Sequence, residues 1–158
     1  MRLFATEWDP DSTDVSFTPP HIIEAIGLTY DLDPATPPGG VPWIPADTIY
    51  TEHDDGLTQP WHGRVWLNPP YSAPAPWIEK LADHGNGVAL LPNDSATKWW
   101  HQHVTRGDAW CFINGRIRFL RQSQDEPTSA RFPSLLVAYG LECAAAVKRC
   151  GLGWTVPL

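Results

Sequence analysis

The chain has 158 residues, of which 42% are apolar and 18% charged, and a formal net charge of −7. That length predicts one domain with a real core, roughly two thirds of its unfolded surface being removed from water, and the composition excludes a disordered chain. Seventeen prolines and nine tryptophans against a single methionine argue against a coiled coil or long-helix bundle, and no apolar run approaches the ~18 residues of a membrane span.

Residues 1–15 carry Glu7, Asp9, Asp11 and Asp14 without periodicity and read as a polar arm, leaving residues 16–158 as the single domain. The first residues lack the apolar stretch of a secretion signal. Ser16-Phe17-Thr18-Pro19-Pro20 reads as a helix start, capped by Ser16 or Thr18, with proline in the first turn and Gly27 as the stop after Ile26. Leu28–Asp33 is a short strand that ends in two carboxylates. A Pro/Gly-rich loop spans Thr36–Pro45, Thr48–Thr51 is a second strand, and Asp54-Asp55-Gly56 is a turn. Arg64–Leu67 is a third strand, ended abruptly by Asn68-Pro69-Pro70-Tyr71 and followed by a helix over Pro76–Asp83. Gly87–Leu91 is a fully apolar strand, and Ser95 caps a helix to Val104. Ala109–Phe119 reads as two strands folded about Asn114-Gly115, a strong hairpin signal. A polar loop over 121–130, a strand over Ser134–Tyr139 and a helix over Leu141–Arg149 complete the chain.

Continuously apolar strands separated by helices predict an α/β domain with a mostly parallel sheet and an antiparallel edge hairpin. Ligands of such sheets sit outside the carboxyl ends of the strands. Asp31/Asp33, Asp54/Asp55 and Asn68–Tyr71 each lie just past such an end, so three polar clusters meet at one edge. Charge is divided unequally. Residues 1–97 hold 3 Lys/Arg against 14 Asp/Glu, a net of −11, whereas residues 98–158 hold 8 against 4, a net of +4. The second half alone suits a polyanion. Cys111, Cys143 and Cys150 form no Cys-x-x-Cys pair and read as free thiols of a cytoplasmic protein.

The segment richest in chemistry is Asn68-Pro69-Pro70-Tyr71. An exocyclic amino group such as adenine N6 is conjugated with its ring and is a poor nucleophile. Two acceptors aimed at its two N–H groups localise the lone pair. Asn68 supplies one with its amide oxygen and the carbonyl of Pro69 the other, held by the fixed φ of Pro69 and Pro70. Tyr71 offers a face for a base to stack on, a contact worth ~1–3 kcal/mol in single-strand binders. Taken alone, Asn-Pro and Pro-Pro are also ordinary strand-ending punctuation. His101 and His103 have no partner at zinc spacing, so no metal site is expected.

These residues resemble the small phage-type DNA N6-adenine methyltransferases, a Dam-like family that uses S-adenosylmethionine. The resemblance runs from Phe17 to Tyr139. It is carried by Phe17-Thr18-Pro19, Asp31-Leu32-Asp33-Pro34-Ala35, Tyr50-Thr51 with Asp55-Gly56-Leu57, Trp61, and Val65-Trp66-Leu67-Asn68-Pro69-Pro70-Tyr71-Ser72. Trp77, Leu90-Leu91-Pro92, Trp99 and Gly115-Arg116-Ile117-Arg118-Phe119 follow in order. It implies a compact Rossmann-like methyltransferase, DNA as partner, adenine methylation with the base flipped out, and a phage or prophage gene in a bacterial host, with protection against restriction as a purpose. The expected cofactor site is Phe17, Thr18, Pro19, Asp31, Asp33, Pro34, Ala35, Asp54, Asp55, Gly56 and Leu57. Within it Asp33, shared with Asp31, meets the methionine ammonium. The helix start at Thr18-Pro19 meets the carboxylate, and Asp54 or Asp55 meets the nucleoside. Asn68, Pro69, Pro70 and Tyr71 are the expected catalytic set. Ser72, Lys98, Arg106, Asn114, Arg116, Arg118, Arg121 and Arg131 are the expected DNA contacts. Asp33-Pro34-Ala35 stands where many methyltransferases have a Gly-x-Gly loop. Methylation of a protein glutamine amide or of RNA, and an inactive DNA-binding or inhibitory module, remain the alternatives. Oligomeric state is open.

Overall fold

The computed structural model describes residues 17–121, 124–129 and 133–157, residue 121 and residues 124–129 by their backbone alone. The expected polar arm, Ser16 as a cap, Arg131, and the side chain of Arg121 lie outside the described residues.

Seven strands form one mixed sheet: β1 (Tyr30–Asp33), β2 (Ala46–Ile49), β3 (Val65–Leu67), β4 (Gly87–Pro92), β5 (Ala109–Ile113), β8 (Ser134–Tyr139) and β9 (Gly153–Val156). Their order is β2-β1-β3-β4-β8-β5-β9. The first four are parallel, with Leu32 beside Val65 and Leu67 beside Ala89. β8, β5 and β9 add an antiparallel half. Strands β6 (Arg118–Arg121) and β7 (Gln124–Ser129) pair outside this sheet as a two-stranded ribbon. The fold is the Rossmann-like α/β class that the strand pattern implies, with an antiparallel portion larger than expected.

The central strands are apolar throughout because both faces are covered. On one face, Trp66, Val88, Leu90, Leu136 and Ala138 pack with Ile22, Ile23 and Ile26 of α1 (Pro20–Ile26) and with Cys143, Ala146 and Val147 of α4 (Leu141–Lys148). On the other, Val65, Leu67, Ala89, Leu91, Leu135 and Val137 pack with Trp77, Ile78 and Leu81 of α2 (Ala75–His84). The short helix α3 (Lys98–His103) adds half-buried Trp99 and Trp100 to this second face. Alternate residues of each strand thus enter opposite cores, as a period of two requires.

Four expectations are corrected. Pro19, not Thr18, occupies the N-cap of α1, and no side chain caps it, whereas Gly27 does end it at φ 72°. α3 begins at Lys98 behind Thr97 rather than at Ser95, and a 3₁₀ turn over Val104–Arg106 follows it. The Asn114-Gly115 hairpin does not form. β5 already has β8 on one side and β9 on the other, and the Asn114 N–H donates to the Leu152 carbonyl at 2.9 Å, so β6 finds no free edge there. The polar loop expected over 121–130 contains β7, whose Gln-Asp-Glu-Pro-Thr-Ser run shows no apolar alternation to read.

Candidate active site

Because β2, β1, β3 and β4 run parallel, one edge of the sheet collects the segments after Ile49, Asp33, Leu67 and Pro92. The three polar clusters seen in the sequence are therefore brought together.

Asn68 leaves the end of β3 half-buried, and Pro69 and Pro70 behind it are buried. The Asn68 Nδ2 donates to the hydroxyl of Thr18 at 3.2 Å. Thr18 is fully buried, and its carbonyl accepts from the indole N–H of Trp43 at 2.7 Å. The carbonyl of Pro70 closes a turn onto the Ala73 N–H at 3.2 Å. Tyr71 meets Phe119 edge-on, ring centroids 5.9 Å apart at 86°. Its hydroxyl is sealed next to Ser134, and burial pushes its proton loss well above the ordinary value, so the phenol stays neutral.

Asp33 ends β1 with 4% of its surface exposed. Burial raises its carboxyl to about 7, against the pull of the Ala35 N–H, which donates to Oδ1 at 3.3 Å. Among the described residues no cation forms a salt bridge with it. The turn after β1 is pinned to β2: the Tyr50 N–H donates to the Asp33 carbonyl and the Thr36 N–H to the Tyr50 carbonyl. The 54–57 loop sits directly on this turn, since a Cβ on Gly56 would lie 2.0 Å from the Pro34 carbonyl oxygen. Lys80 of α2 holds the loop from outside, donating to the carbonyls of Leu57 and Gln59 with its ammonium 5.2 Å over the ring of Trp61. Asp55 takes φ 55°, and its carbonyl accepts from the N–H and hydroxyl of Thr58.

Other expected contacts are already committed. Asp31 accepts from the Arg64 N–H at 2.7 Å, one pleat below Asp33. Asp54 accepts from the N–H and hydroxyl of Thr51, as a turn residue does. The start of α1 is a poor anion site, because Pro19 and Pro20 have no N–H and that of Ile22 is turned to the Pro19 carbonyl. Phe17 pairs through its backbone with Leu120, and its ring lies tilted at 59° against that of Trp43, centroids 6.1 Å apart. The sequence assigns Trp43 and Lys80 no role at the site, and Tyr50 only a place among the landmarks of the resemblance. Trp43 lies in a Pro/Gly loop, and no local pattern ties it to Thr18.

The basic candidates divide between the two edges. Asn114, Arg116 and Arg118 are exposed on the segment after β5, while Ile117 and Phe119 between them are buried, Phe119 against Tyr71. Ser72 and Lys98 are also exposed, after β3 and after β4. Arg106 is not with them. It precedes β5 where Ala109 faces Ala138, the amino end of the parallel strands, and bonds Asp83 at 2.8 Å. Among the described residues no group of three or more His, Cys, Asp or Glu is placed to hold a metal ion, and no helix is long and apolar enough to cross a membrane.

Fold and edge together define a Rossmann-like α/β protein with an Asn-Pro-Pro-Tyr segment beside a buried acid. The model of the DNA N-6-adenine-methyltransferase (Dam) family matches residues 8–141, and the chain belongs to that family. It is also similar to a DNA N-6-adenine-methyltransferase of Haemophilus phage HP1 (strain HP1c1), being 34% identical over 97 residues, 56% of this chain. The chain spans only 56% of that relative's length.

Proposed function

We propose that this chain transfers a methyl group from S-adenosylmethionine to the N6 amino group of adenine in DNA. The observation that carries this reading is the juxtaposition, on one sheet edge, of Asn68-Pro69-Pro70-Tyr71 with the buried carboxyl of Asp33. The residues present suit the cofactor. Asp33 is an acid held out of water with no cationic partner among the described residues, which a primary ammonium would satisfy. Asp33, Pro34, Ala35 and the Asp55-Gly56-Leu57 loop would hold the cofactor, and Asp55 is the carboxylate there whose side chain caps no turn among the described residues. Bound there, S-adenosylmethionine supplies an electrophilic methyl carbon.

The remaining work belongs to the chain. The adenine leaves the stack to reach the edge. The amide oxygen of Asn68 and the carbonyl of Pro69 accept from the two N6 hydrogens and turn the nitrogen lone pair out of conjugation. Both are set before the base arrives, Asn68 by its bond to Thr18 and Pro69 by its ring. Tyr71, kept upright by Phe119 and neutral by burial, offers the stacking surface. The methylated nitrogen then sheds its proton without a general base. Arg116, Arg118, Asn114, Ser72 and Lys98 border the same edge and suit phosphates.

Incubation with labelled S-adenosylmethionine and DNA, followed by nucleoside analysis, is expected to yield N6-methyladenine. Asn68→Ala is expected to lower kcat by about 100-fold or more, as loss of a preorganised polar contact does, with cofactor affinity nearly unchanged. Label in protein glutamine instead of DNA, or a near-normal rate in Asn68→Ala, refutes the reading.

A further inference from the structure

We infer that Thr18 is a positioning residue that fixes the orientation of the Asn68 amide; the inference rests on the catalytic reading of Asn68. The sequence places Thr18 with the cofactor, yet none of its surface is open to a ligand. Its hydroxyl oxygen instead accepts from Asn68 Nδ2 at 3.2 Å, across 50 residues of chain.

Orientation decides whether Asn68 works at all. A carboxamide has an accepting end and a donating end of nearly the same shape. Presented with its NH₂ end, Asn68 would set donor against donor at the adenine amino group. Presented with its oxygen, it accepts. The Thr18 hydroxyl engages the NH₂ end and so turns the oxygen away from itself. The backbone that carries that hydroxyl is itself held from three sides. Trp43 clamps the Thr18 carbonyl at 2.7 Å, Phe17 before it pairs with Leu120 through two backbone bonds of 2.7 and 3.0 Å, and Pro19 and Pro20 after it have fixed φ. A rigid partner for the non-reacting end of the amide is what a preorganised acceptor requires.

Steady-state kinetics of Thr18→Val and Thr18→Ser test this. Thr18→Val keeps the shape and removes the hydroxyl. It is expected to lower kcat by about 10- to 100-fold, the scale on which a misplaced reacting group is felt, while KM for S-adenosylmethionine stays within about twofold. Thr18→Ser restores the hydroxyl and is expected to recover wild-type kcat to within about threefold, a rescue that loss of packing alone would not give. If Thr18→Val does not fold, Thr18→Ala is read in the same way. A raised KM for the cofactor with unchanged kcat would return Thr18 to the cofactor site and overturn the inference, as would equal losses in Thr18→Val and Thr18→Ser. Asn68→Ala separates the two claims. If it is inactive while Thr18→Val is normal, only the positioning role falls, whereas a near-normal Asn68→Ala removes the catalytic reading itself.

Discussion

Asp33 is the residue whose surroundings are most at odds with a charge. Its carboxyl, raised from 3.8 to about 7 by burial, keeps its proton in the folded state over a range in which the unfolded chain has lost it. The stabilisation this gives is fully present below about pH 4 and is lost as pH rises through about 7. Thermal denaturation of the ligand-free protein should therefore show Asp33 opposing stability between pH 5 and 8, and Asp33→Asn should raise the melting temperature at pH 8 more than at pH 5. An ammonium beside Asp33 reverses the preference. Cofactor binding is expected to tighten from pH 5 to 7 and to release up to one proton at pH 6, read by calorimetry in buffers of different ionisation enthalpy. Asp33→Asn should abolish that proton release, and a wild-type affinity independent of pH would remove Asp33 from the ammonium site. At this scale the sequence is legible where chemistry is contiguous. Asn68-Pro69-Pro70-Tyr71 stands out because an apolar strand delivers it in one piece. The Thr18–Asn68 and Trp43–Thr18 bonds join residues 50 and 25 positions apart, and no spacing rule announces them.

Among the elements, those that set the site are the ones that their own short stretches of sequence mark. β3, β4 and β8 emerge from apolar runs bounded by Gly, Pro or Asn, β1 from a short run that ends in Asp33-Pro34, and the site's edge exists because β1, β3 and β4 run parallel. β9 leaves little mark in the sequence because Gly153–Val156 is short and, among the described residues, pairs on one side, with β5. Its place beside β5 is what displaces the hairpin that Asn114-Gly115 signals: the chain bends there, with Gly115 at φ 81°, but the two flanking strands enter different sheets. The tightest approach between elements at the site is the 54–57 loop on the turn after β1. Gly56→Ala would put a methyl 2.0 Å from a backbone oxygen that has no rotamer to escape by. The loop must lift, at a loss of about 1–3 kcal/mol in urea unfolding, the range of overpacked substitutions. Cofactor affinity is expected to fall by about tenfold or more, since a change of about 1.4 kcal/mol is tenfold and the loop would form one wall of the proposed cofactor site. DNA binding should survive. An unchanged cofactor affinity in Gly56→Ala would place the cofactor elsewhere than between these two loops.

The whole molecule carries −7, so any polyanion must be met by a local field rather than by overall charge. The sheet sorts that field. Its carboxyl edge has exposed Arg116 and Arg118 on a segment anchored by Ile117 and Phe119, with the Phe119 ring against that of Tyr71, so this stretch adjoins the Asn68-Pro69-Pro70-Tyr71 segment. Its amino edge has cations as well, Arg106 paired with Asp83 and Arg64 with Glu142. Composition alone counts Arg106 and Arg118 alike, while topology puts them at opposite ends of the strands. Fluorescence anisotropy with a DNA duplex between about 50 and 200 mM salt should separate them. Each phosphate contact adds about 0.9 to the slope of log affinity against log salt. Arg118→Ala is expected to weaken binding evenly across sequences and to reduce that slope by about one. Arg106→Ala should leave slope and affinity unchanged and appear only as a small loss of stability, since an exposed ion pair contributes at most about 1 kcal/mol. The reverse result, with Arg106 setting the salt dependence, would put DNA at the amino edge and separate it from Asn68 by the length of the strands.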